Sequence, residues 1–264
     1  MSDLIKDGCQ LFPSVVPENL LNALRTTTDE LCRHKDTKRS QGIMLSTMAD
    51  PLLAELITLP AALLCLQTFG YSNPTFTDGY IISKPPQSPR LFWHYDWFAW
   101  KDPDARSPVP QQVFFMYYLV DTTPVNGCLR VIPGSHRQHN PLHDQLGSPH
   151  SAALSRIDNP DDAAFSTRPD EIDLPVCAGD LLIGDARLLH AAHANTSESL
   201  RTVITLWYQP CFDQLPERVK AQMVRKTQPT PEDWPKEARR MVKAMQPTYD
   251  GDAEPYSRDM YQEA

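Results

Sequence analysis

The chain is short of several things, and each shortage removes a class of protein. Glycine is scarce: 10 residues in 264, against 25 prolines. The prolines are dispersed and interrupt apolar stretches, so they punctuate loops and strand ends instead of forming a low-complexity linker. That density excludes a long helical bundle or coiled coil, because an interior proline removes a helix hydrogen bond and clashes with the turn before it. Basic residues are outnumbered, 25 Lys+Arg to 33 Asp+Glu, so the net charge is −8. There is therefore no global field for nucleic acid or an anionic membrane. No apolar run reaches the roughly 18 to 20 residues of a spanning helix. The first residues, MSDLIKDGCQLFP, lack the basic start and apolar stretch of a secretory signal. Six cysteines are scattered without a CxxC pair, which speaks against a disulfide frame or a zinc cluster. The expectation is a cytoplasmic globular protein with reduced thiols.

What is present divides the chain into three parts of one domain spanning 1–264. Residues 1–72 read as mostly helical. Leu20, Leu21, Leu24, Thr28 and Leu31 fall at helical spacing between Pro17 and His34. A second helical stretch, 51–69, is broken before Pro60 and closed by Gly70. From about 74 to 211 the pattern changes to short runs rich in β-branched and aromatic residues: 76–83, 91–97, 113–120, 129–132, 180–183, 187–193 and 202–208. Turn clusters separate them with no helix between, which predicts an antiparallel sandwich or barrel. The polar stretch 134–175 is too long for a hairpin turn and is expected to be a lid. After Cys211 two segments opened by proline and acidic residues predict a helical tail over 212–264.

The segment LFWHYDWFAW, 91–100, carries the most chemistry. His94 and Asp96 are two apart, so on a strand both project from one face. Such a pair is either a hydrogen-bonded couple on a sheet surface or two metal ligands. A second histidine, His190, ends an apolar run; His193, three residues on, points to the opposite side of an extended strand. Arg201 follows His190 by eleven residues across the polar turn 195–199, and a hairpin there returns it beside His190. Two histidines, a carboxylate and a nearby guanidinium suit a non-haem Fe(II) facial triad with open positions. Arginine would then hold the carboxylate of an organic acid.

Alternation puts Phe92 and Phe98 on the His94/Asp96 side and Trp93, Tyr95 and Trp97 on the other. Phe98, beyond the expected strand end, is a candidate substrate contact. The same parity from Arg201 sends Val203, Thr205 and Trp207 inward, with Trp207 a candidate wall of the substrate pocket. Asp185 either orients His190 or shapes a turn. His136, His139, His143 and His150 are spaced too irregularly to define a second metal site. Cys128 reads as a buried apolar residue.

These residues meet a known pattern. The sequence resembles the phytanoyl-CoA dioxygenase-like family of Fe(II)/2-oxoglutarate-dependent oxygenases. The likeness is carried by IKDGCQLFPSVVPENLLNALR near the start, ISKPP at 82–86, HYD at 94–96, NGCLRVIPGSHR at 126–137 and HAAHANTSESLR at 190–201. It implies a mainly β fold with flanking helices, a double-stranded β-helix (jelly roll, cupin-like). It implies His94, Asp96 and His190 as ligands of Fe(II), and Arg201 as partner of the distal carboxylate of 2-oxoglutarate. It further places Tyr80 and Met116 against that co-substrate. Ala192 stands where the family often has a small hydroxylated residue, so one co-substrate hydrogen bond must come from elsewhere. In halogenating relatives the carboxylate ligand is a small residue; Asp96 is present, so an oxygenase is expected.

The function this implies is oxidation of a C–H bond of a small organic metabolite, with O₂ and 2-oxoglutarate consumed and succinate and CO₂ released. A zinc-dependent hydrolase using the same three ligands is a second reading, and a non-catalytic jelly-roll binding protein a third. The hydrolase reading lacks a general-base carboxylate at a motif position and leaves Arg201 unexplained. The expected partner is a small molecule, not nucleic acid or membrane.

Overall fold

Two antiparallel sheets face each other in a computed structural model that describes residues 3–33, 35, 39–149, 151–257 and 260–261. In chain order the elements begin with α1 (Leu4–Asp7), β1 (Cys9–Phe12), α2 (Glu18–Cys32), β2 (Ile43–Ser46), α3 (Leu53–Ile57) and α4 (Pro60–Gln67). The strands β3 (Thr75–Lys84), β4 (Leu91–His94), β5 (Val113–Tyr118) and β6 (Leu129–Val131) follow, then α5 (Ala152–Arg156) and β7 (Ile172–Leu174). The chain continues through β8 (Leu181–Asp185), β9 (His190–Ala192) and β10 (Arg201–Gln209) to α6 (Glu217–Lys226) and α7 (Lys236–Met245). One sheet runs β1-β8-β5-β10-β3-β2 and the other β4-β9-β6-β7. This is the expected jelly roll with flanking helices.

Strand β5, VFFMYY, is buried at every position because it is covered on both faces. Val113, Phe115 and Tyr117 turn outward to a core shared with α2, α3, α4 and α7. Phe114, Met116 and Tyr118 turn inward, toward the other sheet. The outer core explains the helical ends of the chain: Leu20, Leu21 and Leu24 of α2 and Val242 of α7 bury their apolar faces against it. Pro17, Pro216 and Pro235 immediately precede α2, α6 and α7, where a missing N–H costs nothing.

Three expectations need correction. The first 72 residues are not simply helical: β1 pairs with β8 and β2 with β3, extending both edges of the larger sheet. At four residues each, these strands are too short for alternation to announce them. Strand β4 ends at His94, so Asp96 lies just beyond the strand. Its backbone N–H and that of Trp97 both donate to the Ala186 carbonyl, at 2.8 and 2.9 Å, which fixes the turn. Lastly, β9 and β10 are not a hairpin but belong to different sheets. Asn195 makes the crossing: its side-chain amide donates to the carbonyls of Lys84, Pro85 and Ser199 at 2.9, 3.1 and 2.8 Å.

The stretch 134–175 also differs from a structureless lid. It contains α5, a single 3-10 turn at Ala163–Phe165 and β7, which pairs with β6. It packs behind the smaller sheet: Phe165 meets the Phe92 ring edge-on, and the Ser166 carbonyl accepts from Trp93 Nε1 at 2.8 Å. No helix among the described residues is long and apolar enough to cross a membrane.

Candidate active site

Between the sheets lies a cavity of about 600 Å³, a usual size for a small-molecule site. Strand alternation builds its walls. From β3 come Asp78, Tyr80, Ile82 and Lys84, and from β10 come Arg201, Val203, Thr205 and Trp207. Thr205 sits opposite both Tyr80 and Met116 in the sheet register. The facing sheet contributes Phe92 and His94 from β4 and His190 and Ala192 from β9. Every residue assigned to the site by sequence reaches this one cavity: His94, Asp96, His190, Arg201, Tyr80, Met116, Phe98 and Trp207.

His94 and His190 are paired across β4 and β9, and their rings lie 4.1 Å apart between centroids. Asp96 stands between them. Its Oδ1 is 3.8 Å from His94 Nε2 and its Oδ2 is 3.9 Å from His190 Nε2. One candidate ligand atom from each residue lies within 4.8 Å of the others. The opposite ring nitrogens are held by the backbone: His94 Nδ1 is 3.1 Å from the Phe92 carbonyl and His190 Nδ1 is 3.0 Å from the Leu188 carbonyl. A carbonyl only accepts, so each Nδ1 carries a proton and each Nε2 is the nitrogen left to hold a metal. Trp207 Nε1 donates to Asp96 Oδ2 at 2.9 Å and fixes the carboxylate's orientation. Burial pushes the Asp96 carboxyl up, but His190, His94, the Trp207 hydrogen bond and Lys226 outweigh it, and the net shift is downward. Two imidazoles and one carboxylate, converging on a cavity with their outer atoms anchored, fit a divalent metal ion.

The other end of the cavity carries positive charge. Arg201 is 3% exposed, and among the described residues no carboxylate or carbonyl accepts from it. Burial lowers its pKa from the usual guanidinium value, with only the Tyr118 and Cys128 groups opposing. Its guanidinium lies over the Tyr118 ring, 5.8 Å from the centroid, and a buried cation without an anionic partner costs on the order of several kcal/mol unless a ligand supplies the anion. Gly127 lies beside this side chain on a backbone with φ +91°, where a Cβ would approach the His193 carbonyl to 3.0 Å. Lys84, opposite Arg201 in the register, is tied to the carbonyls of Ser40 and Pro89. Burial and the Arg201 charge hold its pKa well below normal. Thr205 Oγ1 is a second buried polar atom without a partner. A carboxylate-ended acid fits this donor set.

The remaining candidates fall elsewhere. His193 Nε2 lies 2.6 Å from Asp173 Oδ1, outside the cavity walls and beside Cys128. Burial raises the Cys128 thiol to about 12, so it is no nucleophile. Asp185 does not touch His190; it binds Arg187 through both oxygens, at 2.9 and 2.6 Å, and so shapes the turn. His136, His139 and His143 form no shared ligand cluster, and His150 lies outside the described residues. Sequence reasoning expected the helix α6 but not its place at the site: Gln222, Arg225 and Lys226 line the cavity, whereas no described residue of 134–175 does. It also passed over Asp78, although the parity of Tyr80 and Lys84 on β3 would have turned it inward.

The fold and site so described define a jelly roll with a His-Asp-His centre, and comparison with known proteins gives the family. The family model for phytanoyl-CoA dioxygenase (PhyH) matches residues 27–203, and the chain belongs to that family. It is similar to an ectoine dioxygenase of Nocardia farcinica (strain IFM 10152), 29% identical over 143 residues, which are 52% of this chain and 48% of the relative. The chain thus spans about half the length of the curated relative it matches. Among solved structures it is similar to the epimerase SnoN in complex with Fe3+, alpha ketoglutarate and nogalamycin RO, with a TM-score of 0.59 and 20% identity over 78% of this chain and 80% of that one. It is equally similar to HygX from Streptomyces hygroscopicus with nickel, 2-oxoglutarate and hygromycin B bound, with a TM-score of 0.60 and 20% identity over 79% and 85% of the two chains. At these identities the structural likeness speaks for the fold.

Proposed function

We propose that the protein is an Fe(II)- and 2-oxoglutarate-dependent oxygenase acting on a C–H bond of a small organic molecule. The observation that carries this reading is Arg201, a buried cation with no carboxylate partner among the described residues, in the same cavity as the His94/Asp96/His190 centre. When bound, iron and 2-oxoglutarate supply O₂ activation coupled to conversion of the acid to succinate and CO₂. The chain's own part is to hold and orient. His94, Asp96 and His190 take the metal, their positions set by two backbone carbonyls and Trp207. Arg201 receives the distal carboxylate of the acid and Thr205 offers the hydroxyl that Ala192 lacks, while Tyr80 and Met116 wall it. Phe92 and Phe98 keep water from the reacting face, and Trp207 closes the substrate side.

The curated relative is an ectoine dioxygenase, and the similar solved structures hold nogalamycin RO and hygromycin B, which supports a small-molecule substrate. A zinc hydrolase would use the three ligands but leave Arg201 without a partner. Anaerobic titration tests the choice. A weak visible charge-transfer band is expected only when Fe(II) and 2-oxoglutarate are both present, together with 2-oxoglutarate-dependent succinate release. Hydrolysis by the zinc-loaded protein without that band would overturn the oxygenase reading.

A further inference from the structure

Strands β3 and β10 bring different charges to the two ends of the cavity. On β3 and β10, Lys84 pairs with Arg201 at one end of the register, and Asp78 pairs with Trp207 at the other. The first end is basic. At the second, Asp78 lines the cavity and accepts a hydrogen bond from Thr77 Oγ1 at 3.0 Å, yet it forms no ion pair within 4.0 Å among the described residues. The metal centre accounts for Asp96 and not for Asp78.

The surroundings of Asp78 say what it would receive. Trp207, Tyr80 and Phe98 line the same cavity, and the Tyr80 and Trp207 rings meet edge-on at 6.0 Å. An ammonium group already rests there: Lys226 Nζ, at the end of α6, lies 4.9 Å from the centre of the Phe98 ring. Burial pushes the Asp78 carboxyl up, and the Lys226 charge offsets this only in part. Aromatic faces with a carboxylate among them attract cations by quadrupole and charge together. Neutral alcohols gain nothing from the ring faces. Arg225, the other basic residue of this end, already donates to the Tyr256 carbonyl at 2.7 Å.

We propose that Asp78 anchors a protonated amino group of the substrate, so that the molecules oxidised are small amines. This rests on the oxygenase reading of the same site. The bound ammonium lies between Asp78 and the rings of Trp207, Tyr80 and Phe98, and it displaces Lys226 from the cavity end. The order along the cavity is then acid-binding Arg201, metal centre, and amine-binding Asp78. This arrangement keeps the co-substrate's carboxylate and the substrate's cation from exchanging places.

Calorimetry on the full chain, loaded anaerobically with Fe(II) and 2-oxoglutarate, tests this with three matched probes: 1,5-diaminopentane, 5-aminopentanol and 1,5-pentanediol. The amines are expected to bind about 10- to 100-fold more tightly than the diol, the range for a hydrogen bond to a charged group. Asp78→Asn should abolish that preference and Asp78→Glu, which keeps the charge, should retain most of it. Lys226→Gln should tighten the amines severalfold, because the resident ammonium no longer competes. Equal binding of amine and diol, no binding of the amine, or an undiminished preference in Asp78→Asn would each overturn the proposal. Binding is read without turnover, so the two readings fail separately. A wild type with amine preference but no Fe(II)/2-oxoglutarate band would lose the oxygenase function and keep the amine site.

Discussion

His190 and His193 stand three residues apart, each beside an aspartate, and they have opposite fates. His193 and Asp173 close to 2.6 Å and satisfy each other at the protein's surface. His190 and Asp96 are held 3.9 Å apart, the imidazole by the Leu188 carbonyl and the carboxylate by Trp207. The same contrast separates the arginines. Arg187 is saturated by Asp185 and the carbonyls of Ala105 and Ser107, and Arg130 by Glu171 and Ser166. Arg201 is as deeply buried and has no such acceptor. Residue type therefore says little about role in this chain. What marks the site is bonding capacity that the fold deliberately holds back from its own groups, at the cost of desolvation.

The comparison breaks most severely at the metal centre. His94→Ala, Asp96→Ala and His190→Ala are each expected to abolish Fe(II) binding, read by anaerobic titration, while circular dichroism stays close to wild type. Full occupancy in any of them would move the centre elsewhere. Next is Arg201→Ala, expected to weaken 2-oxoglutarate by about one to two orders of magnitude, since a charge-assisted contact contributes roughly 1.5 to 3 kcal/mol. Fe(II) affinity should change little, and Arg201→Lys should recover only part, because an ammonium lacks the planar fork. A smaller effect is expected for Trp207→Phe. Removing the donor that orients Asp96 should weaken metal binding about tenfold, at the low end for outer partners of metal ligands, with the cavity's aromatic wall kept. The control is His193→Ala: an exposed ion pair contributes about 1 kcal/mol or less, so thermal denaturation should shift slightly and iron and 2-oxoglutarate affinities not at all. A large loss of iron on His193→Ala would erase the distinction between the two histidines.

Much of this was legible in residue order. Period-two alternation from Arg201 placed Val203, Thr205 and Trp207 on the cavity side, and the jelly roll does exactly what that parity requires. The same alternation sorted Phe92 and Phe98 from Trp93, Tyr95 and Trp97, the latter three packing into a core with α6. Other features lay beyond the pattern for physical reasons. Asp96 sits past the end of β4 and faces the site through hydrogen bonds to Ala186, a contact 90 residues away that no local period reports. The crossing at Asn195 looks like a hairpin turn in sequence, because polar residues between two β runs are common to both geometries. Only the three carbonyls gathered by its amide distinguish them. Helix α6 showed its period and its proline start, but a helix's docking place depends on tertiary packing, and its role at the cavity was invisible.

The position of α6 also divides the molecule's heritage in an unequal way. The family match ends at residue 203, just after Arg201, so His94, Asp96, His190 and Arg201 lie inside the shared span. Trp207, Gln222, Arg225 and Lys226 lie outside it, and all four face the far end of the same cavity. The stretch beyond the match thus lends the cavity a further wall, while Asp78, Tyr80 and Phe98 of the same cavity lie inside the match. A graft that replaces residues from 211 onward, joined after β10, would exchange the wall that α6 supplies while leaving His94, Asp96, His190 and Arg201 in place.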